Sequence, residues 1–408
     1  MVNLYVGKMR SLIIATALLV LPSVYAQGAT EFSPLKFSEN GTFQISIFED
    51  LHFGENAWDT WGPEQDRKSV TVINEILNKE SPDLVVLNGD LITGENGFLE
   101  NATVYIDDIV GPLVDRGLTW ASTYGNHDSA YNLSRTSILA RERRWPNART
   151  QQMVFDRNAG VTNYYLPVYG AGKDAVHHAP KMILWFFDSR GGNYFQELDS
   201  SGNEIPQPNW VDASVVKWFR ETSKHLHHKH KKVIPSLAFV HIPTNASQAA
   251  QTEIGISKTH EPGINDDYIL AQQAQGWCED GTNSDSCSYG AQDVPFMKAL
   301  VETPGLIAVF SGHDHGDTWC YKWNELLPGM TIKGNGVNLC FGQHSGYGGY
   351  GSWIRGSRQV IVTESLLKHK ELDTWIRLES GDIVGSVALN STYGEDVYPV
   401  TPDTTTNM

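Results

Sequence analysis

Aspartate, asparagine and histidine side chains follow five separate apolar runs of this sequence. The runs are 43–48, 84–87, 118–122, 237–240 and 306–310, and the segments after them read EDLHFG, NGD, YGNHD, HIPT and GHDH. These segments hold seven side chains able to bind metal: Asp50, His52, Asp90, Asn126, His241, His313 and His315. Carboxylates, an amide oxygen and imidazoles form the mixed shell that borderline or hard divalent cations take. The pattern predicts a metal centre, although any one segment alone is typical of an ordinary polar turn.

The number of candidate ligands indicates two cations rather than one. Seven side chains exceed the four positions of a tetrahedral ion, but they divide into two shells of four if Asp90 belongs to both. Paired cations about 3.5 to 4 Å apart stabilise both the attacking and the leaving oxygen in phosphoryl transfer. The set therefore predicts hydrolysis of a phosphate ester by attack of a metal-activated water.

His127 is the candidate catalytic residue because it stands between the ligand Asn126 and Asp128. From there it could stabilise the phosphoryl oxygens or protonate the leaving group. The alternative is a structural hydrogen bond within the turn. Either Asp128 or Glu95 could orient the ring, and the sequence does not choose between them.

The apolar runs are predicted strands, and stretches of helical periodicity lie between them. Val70, Ile73, Ile76 and Leu77 recur at helical spacing, as do apolar residues of 104–114 and 211–224. The opening of the chain therefore predicts β-α-β-α-β, an α/β fold with a mostly buried sheet and helices on its outer faces. Such sheets bind ligands at the carboxyl ends of their strands. We expect a signal peptide at 1–26, an extension at 27–39, one catalytic domain at 40–395 and a frayed tail at 396–408.

The first 26 residues carry Lys8 and Arg10 before an apolar run and end on Ala26, which is typical of a secretory signal peptide. That run is too short for a membrane span, and no later segment is long enough, so no membrane anchor is expected. The formal net charge of -16 disfavours binding to nucleic acid or to anionic membranes. Secretion also fits N-x-S/T sequons, which begin at Asn40, Asn101, Asn132, Asn245 and Asn390.

Four cysteines suit an oxidising compartment and allow three disulfide pairings. Proximity in sequence favours Cys278 with Cys287 and Cys320 with Cys340. Zinc bound by cysteine is disfavoured because no spacing reads C-x-x-C.

The motifs DLH, NGD, GNHD, HIP and GHDH resemble the calcineurin-like metallophosphoesterase superfamily, and SIFEDLHFGE with GYGGYGSWIRGSR resembles its secreted purple-acid-phosphatase-like branch. The resemblance spans residues 44–387 and implies a two-sheet sandwich flanked by helices around a dinuclear centre. It assigns Asp50, His52, Asp90 and His315 to one cation, and Asp90, Asn126, His241 and His313 to the other. One departure is Thr93, where purple acid phosphatases carry the tyrosine that gives iron its colour. An iron–tyrosinate chromophore is therefore not expected, and the metals stay open among Fe, Zn, Mn and Mg.

The expected function is that of a secreted phosphatase acting on a small phosphate monoester. A phosphodiesterase using the same site is the alternative, and the pocket near residues 342–358 would distinguish the two. Arg355 and Arg358 could bind phosphate there or pair with carboxylates, and His344, Tyr347 and Tyr350 are candidate pocket walls. A metal carrier without hydrolysis would not need His127, and a serine hydrolase would need G-x-S-x-G, which Ser345 lacks.

Overall fold

The computed structural model describes residues 33–97, 102–267, 274–279 and 286–406. The predicted signal peptide and the sequon at Asn101 lie outside these residues. Within them, no helix is both long and apolar enough to cross a membrane.

Regular elements cover a little under half of the described residues. The helices are α1 (Trp61–Leu77), α2 (Tyr105–Asp115), α3 (Arg135–Glu142), α4 (Ala213–His230), α5 (Asn245–Ala249) and α6 (Val294–Glu302), with short 3-10 turns at Gly94–Asn96, Ala102–Val104, Ala175–His177 and Leu367–His369 and a π-helical turn at Ala250–Ile254. The strands are β1 (Leu35–Lys36), β2 (Thr42–Phe48), β3 (Leu84–Asn88), β4 (Trp120–Thr123), β5 (Tyr164–Tyr169), β6 (Met182–Phe187), β7 (Asn193–Leu198), β8 (Glu204–Pro206), β9 (Ser236–Val240), β10 (Leu306–Ser311), β11 (Cys320–Trp323), β12 (Val337–Phe341), β13 (Gly356–Thr363), β14 (Leu372–Leu378) and β15 (Ile383–Leu389).

Two sheets form the centre of the fold. One has the strand order β1-β5-β6-β9-β10-β12-β11 and the other β15-β14-β13-β2-β3-β4, while β7 and β8 form a separate hairpin. One apolar cluster joins the facing sides of the two sheets, with Phe43 and Ile45 of β2 packed in it together with Phe186 of β6 and Phe239 of β9. Strands β3, β6, β9 and β10 read as almost continuous apolar runs because both of their faces are covered.

Helices cover the outer face of each sheet. Apolar residues of α1, α2 and α3 pack with β3 and β4 in a second cluster, and those of α4, α5 and α6 pack with β6, β9 and β10 in a third. The predicted two-sheet sandwich flanked by helices is confirmed. The histidine-rich end of α4 is exposed, as expected of a solvated helix terminus.

Parallel pairing brings the predicted site segments to one edge. Strands β2, β3 and β4 are mutually parallel in one sheet, and β6, β9 and β10 are mutually parallel in the other. The carboxyl ends of neighbouring parallel strands meet at the same edge of a sheet, so the polar segments after them are adjacent.

The ends of the catalytic domain differ from the expected boundaries. Strand β1 lies inside the expected extension and pairs with Val168 and Tyr169 of β5. The expected frayed tail is hydrogen-bonded as far as Thr406, since Ile354 N donates to Thr404 O at 2.9 Å and Thr406 N donates to Ser352 O at 2.8 Å. The expectation of a frayed tail is wrong for these residues because their backbone groups pair with the glycine-rich loop, residues 342–353, and with Ile354, which follows it.

Both favoured disulfides are present, Cys278–Cys287 and Cys320–Cys340. The second joins directly paired residues of β11 and β12.

Candidate metal centre

Four of the seven candidate ligands have left-handed backbone conformations. Their φ values are +54° at Asp50, +48° at His52, +49° at Asp90 and +78° at His313. Non-glycine residues seldom adopt such angles, which cost about 1 to 3 kcal/mol each and persist only where the surroundings impose them. Here the turns after β2 and β3 are joined, because Leu51 N and His52 N both donate to Asp90 O at 2.9 and 3.0 Å. The strain therefore coincides with the residues whose side chains the site needs.

The ligand atoms converge in two groups. One group contains Asp50, His52 and His315, and the other contains Asp90, His241 and His313, with the atoms of each group within 4.8 Å of one another. Asp90 Oδ2 lies 2.9 Å from His241 Nε2 and 3.8 Å from His52 Nε2, so it reaches both groups. The two groups correspond to the two ligand sets that the resemblance assigned to separate cations. Asp90 lies between them.

Hydrogen bonds at the outer ring nitrogens determine which way the histidine lone pairs point. His241 Nδ1 donates to Asn88 O and His315 Nδ1 donates to Tyr350 O, both at 2.8 Å. In each neutral ring the lone pair is then on Nε2, which faces the centre. The second-sphere carbonyl contact is the usual arrangement of a metal-binding histidine.

Nitrogen and oxygen atoms that can bind a cation face one another at the centre. His241 Nε2 faces a carboxylate oxygen of Asp90, and His315 Nε2 lies 3.2 Å from His52 Nε2. Among the described residues, the buried Asn126 Oδ1 and His313 Nε2 have no hydrogen-bond partner. Unsatisfied buried acceptors of this kind are costly, and cations between them would satisfy all of them. The donor set therefore fits a pair of divalent cations.

Thr93, the position at which the sequence departs from the resemblance, supports a ligand. Its buried hydroxyl lies 3.1 Å from His52 Nδ1, which leaves His52 Nε2 facing the centre. In the sequence, this residue is notable only as the absence of a tyrosine. Its role was missed because a contact across 41 residues has no local signal.

The pKa shifts of the side chains at the centre are consistent with a cation-binding site. Burial lowers the pKa of His313 to about 3, and His241 adds to the effect. Burial alone would raise the pKa of Asp90, but His241 and His127 hold it well below its usual range. Burial also disfavours a charge on His241, yet Asp90 and Asp50 raise its pKa to about 10. A cation there would displace the His241 proton, so metal binding is coupled to proton release.

His127 lies beside the centre with its side chain 34% exposed. One of its ring nitrogens lies within 4.8 Å of ligand atoms of His52 and Asp90. Its Nδ1 contacts the Glu95 carboxylate. Burial lowers the pKa of His127, but Asp90 and Glu95 outweigh it and raise the pKa to about 9. A cationic imidazole at this position can bind a phosphoryl oxygen or give up a proton.

Glu95, and not Asp128, is the partner of His127. Both carboxylate oxygens of Asp128 accept backbone hydrogen bonds, from Leu91 N and Ile92 N at 2.9 Å and from Gly125 N at 2.8 Å. Asp128 therefore joins the turn after β3 to the turn after β4. The sequence alone did not decide between Asp128 and Glu95 as the partner of His127.

Neither of the two arginines predicted to bind phosphate is available to do so. Arg358 is buried in β13 and donates to Phe341 O, Thr374 Oγ1 and Thr318 O. Arg355 is also buried and donates to Trp353 O and Gly351 O. The predicted phosphate-binding role is wrong for both, because their guanidinium groups hold backbone carbonyls inside the fold.

Of the predicted pocket walls, only Tyr350 borders the centre from the solvent side. It is 44% exposed, and its ring stacks on that of His315 with centroids 4.0 Å apart. His344 is buried and packs against His315 from another side, with Nε2 donating to Gly348 O at 3.1 Å. Tyr347 hydrogen-bonds Glu379 and Thr406 instead. His344 and Tyr347 are thus structural, and their prediction as pocket walls is wrong.

Glycine at 349 lets the glycine-rich loop approach the ligands. A Cβ at this position would lie 2.6 Å from His315 Cε1 and 2.8 Å from His52 Cδ2, and φ is +75°. The loop can close over the centre only without a side chain here.

Comparisons with known proteins found a family and several similar proteins. A family model described as calcineurin-like phosphoesterase matches residues 47–317. The chain is 27% identical over 371 residues to the Arabidopsis thaliana protein "Probable inactive purple acid phosphatase 29", covering 85% of this chain and 84% of that one. It is 26% identical over 354 residues to Saccharomyces cerevisiae "Phosphatase DCR2", covering 84% of this chain and 55% of that one. A solved dimetal phosphatase from Danio rerio aligns at 14% identity with a TM-score of 0.47, covering 85% of this chain and 98% of that chain. The range matched by the family model contains all seven candidate ligands and His127.

Proposed function

The chain belongs to the calcineurin-like phosphoesterase family, and on that premise we propose that it is an active two-cation phosphatase that hydrolyses phosphate monoesters. The observation that carries the proposal is the convergence of buried nitrogen and oxygen atoms around Asp90, two of them without any hydrogen-bond partner. Asp50, His52 and His315 would hold one cation, Asn126, His241 and His313 the other, and Asp90 both. Bound cations would activate water and neutralise charge on the phosphate.

Completeness of the site supports activity. The Arabidopsis relative is named as a probable inactive phosphatase, so the activity of this chain depends on its own residues. Each assigned side chain is present, and His127 has its carboxylate partner. His127 would hold a proton next to the phosphoryl group while Glu95 keeps the ring in place.

The charge around the centre favours monoesters over diesters. A monoester carries nearly two negative charges near neutral pH, because its second pKa is about 6, whereas a diester carries one. The raised pKa of His127 adds a positive group beside the two cations. A doubly charged terminal phosphate therefore gains more from this site than a diester does.

Secretion is part of the proposal. The pattern of residues 1–26 is that of a signal peptide, and the two disulfides are of the kind that oxidising compartments maintain.

The test combines metal analysis with paired assays. We expect protein loaded in turn with Fe, Zn, Mn or Mg to hydrolyse 4-nitrophenyl phosphate faster than bis(4-nitrophenyl) phosphate with at least one of them. Asp90→Asn should lose bound metal and activity, because it removes a charge from both cations, while Asp115→Asn at the exposed end of α2 should match the wild type. Turnover of the diester alone would replace the proposal by a phosphodiesterase, and no turnover with a full complement of metal would exclude hydrolysis.

A further inference from the structure

A cavity of about 430 Å³ opens at the edge of the sandwich that carries the metal centre. Its walls come from residues 129–136, which follow β4, from residues 152–161, which precede β5, and from the hairpin that begins at β7. Because β5 runs antiparallel to β6, its start lies at the same edge as the end of β6. This volume is within the range of ordinary small-molecule pockets.

The cavity wall is continuous with the loop that carries Asn126 and His127. Ser129 lines the cavity and is two residues from His127, so their Cα atoms are at most about 7 Å apart. Asn193 N donates to Ser129 O at 3.1 Å, which attaches the hairpin to this loop. A Cβ at Gly191 would lie 2.7 Å from Asn126 Cβ, so the segment before the hairpin packs directly against a ligand.

Aromatic side chains line the cavity and are exposed in it. Phe155 is 79% exposed and Phe195 is 41% exposed. Tyr194 also lines the cavity, and the Arg157 guanidinium lies 5.8 Å from its ring centroid. Single exposed apolar residues are common and need no explanation, but two phenylalanines and a tyrosine around one cavity form a surface for stacking.

Polar groups form the part of the cavity nearest the metal centre. Gln207 Nε2 donates to Ser129 Oγ at 2.8 Å and to Asn193 O at 3.0 Å. Arg135 donates to Gln207 Oε1 and, through its other nitrogen, to Gly125 O and Gly191 O. The cavity thus combines polar groups at Ser129, two residues from His127, with aromatic side chains from two other segments.

We propose that this cavity, the aromatic cavity, holds the planar ring of the ester's leaving group. The substrate class would be phosphate monoesters in which a polar spacer joins the phosphate to an aromatic ring, as in a nucleoside 5′-monophosphate. The phosphate lies at the cations, the sugar passes Ser129 and Gln207, and the base stacks on Phe155 and Phe195. This inference rests on the proposed phosphatase function.

The test compares two esters that differ only in the ring. Adenosine 5′-monophosphate and ribose 5-phosphate break the same kind of primary ester bond, so their intrinsic reactivity is matched. Stacking of a base on an aromatic side chain typically changes binding by a factor of about ten or more. We expect kcat/KM to be at least about tenfold higher for the nucleotide, through KM. Phe155→Ala combined with Phe195→Ala should bring the ratio close to one without changing ribose 5-phosphate turnover.

Controls separate stacking from general damage. Phe155→Trp should keep the preference, and Ile383→Ala, which removes an exposed apolar side chain from β15, should leave both esters unchanged. Equal kcat/KM for the two esters in the wild type, or equal losses in the double variant, would overturn the inference.

Binding of adenosine, which has no phosphate, distinguishes this inference from the proposed function. Saturation-transfer NMR should detect adenosine on the wild type and not on the double variant. Adenosine binding without hydrolysis of either ester would remove the phosphatase and keep the aromatic cavity as a ring site. Hydrolysis of both esters at equal kcat/KM without adenosine binding would keep the phosphatase and remove the aromatic cavity as a ring site.

Discussion

At the level of single residues, three of the candidate histidine ligands are oriented by a second contact of the same side chain. His241 and His315 donate from Nδ1 to backbone carbonyls, and His52 Nδ1 meets Thr93. These contacts orient the rings and leave Nε2 for the centre. His127 differs because its Nδ1 meets a carboxylate, which favours its protonated form. In the proposed function, His52, His241 and His315 therefore bind cations, whereas His127, only a few ångströms away, carries a proton.

Substitution of His127 tests that division. We expect His127→Ala to retain both cations and to lower kcat by roughly 10² to 10⁴, the usual contribution of a positioned acid or base. Metal analysis beside steady-state kinetics measures the two effects. Full activity of this variant on every ester would show that His127 has no catalytic role.

Glu95→Gln should change the pH profile rather than the metal content. The carboxylate raises the pKa of His127, so its removal lowers that pKa. The proposed function uses the protonated ring, so the fall in kcat/KM on the alkaline side should begin at a lower pH. Asp115→Asn is the control, and an unmoved alkaline limb would contradict the positioning role of Glu95.

At the level of elements, the site is built from the turns after parallel strands. The polypeptide accepts left-handed φ angles at Asp50, Asp90 and His313 because the strands before them are buried and cannot shift. The glycine-rich loop then closes over the turn after β2, where Gly346 N donates to Asp50 O at 3.2 Å. Strand ends position the ligands, and the loop covers them.

Substitution of Gly349 tests the fit of the loop. Gly349→Ala would place Cβ against His315 and His52, so we expect at least one cation to be lost or bound more weakly. Gly172→Ala is a matched control because its φ of +104° is also left-handed while a Cβ there meets nothing within 4 Å. The control should cost only backbone strain, of about 1 to 2 kcal/mol, and keep the metal. Metal titration and thermal unfolding of both variants measure this, and equal metal affinity would contradict the expected clash.

At the level of the whole molecule, the centre joins the two sheets. Turns after β2, β3 and β4 supply Asp50, His52, Asp90 and Asn126 from one sheet, and turns after β9 and β10 supply His241, His313 and His315 from the other. Cations at this position would link the sheets at the open edge of the sandwich. Without them, the facing acceptors and the buried Asp50 and Asp90 oppose closure of that edge.

Chelation should therefore lower the thermal stability of the whole domain. A ligand that binds only the folded state contributes about 2.7 kcal/mol at a hundred times its Kd, so removal of the metal should lower Tm by a few degrees. The shift should shrink toward pH 5, because protons compete for the histidines. Calorimetry with and without chelator measures it, and Asp90→Asn should not respond. If chelation left the Tm of the metal-loaded wild type unchanged, this result would contradict the proposed link between the two sheets.

Sequence patterns predicted the strands that carry the site but missed β13, which carries none of the candidate ligands. The runs ending at Leu87 and Val240 are apolar throughout, and the run ending at Phe48 alternates apolar residues with Gln44 and Ser46. Polar residues follow all three runs, and these patterns are local signals. Strand β13 lies at the centre of its sheet, but it buries Ser357, Arg358 and Gln359. Polar residues of this kind are typical of an exposed segment. They are buried here because their polar groups pair with residues distant in sequence, which the local composition does not show.

By itself, the sequence determined which residue types stand at the strand ends, and hence the candidate metal chemistry and the α/β pattern, because burial and turn formation depend on near neighbours. The two-sheet sandwich was predicted from the family resemblance. Only the tertiary structure decided the partners of individual side chains: Glu95 rather than Asp128 for His127, backbone carbonyls for Arg355 and Arg358, and Thr93 for His52. The physical reason is that a hydrogen bond requires a partner within about 3 Å at a favourable angle. Which residues meet at that distance depends on how both sheets pack, and sequence spacing does not specify it.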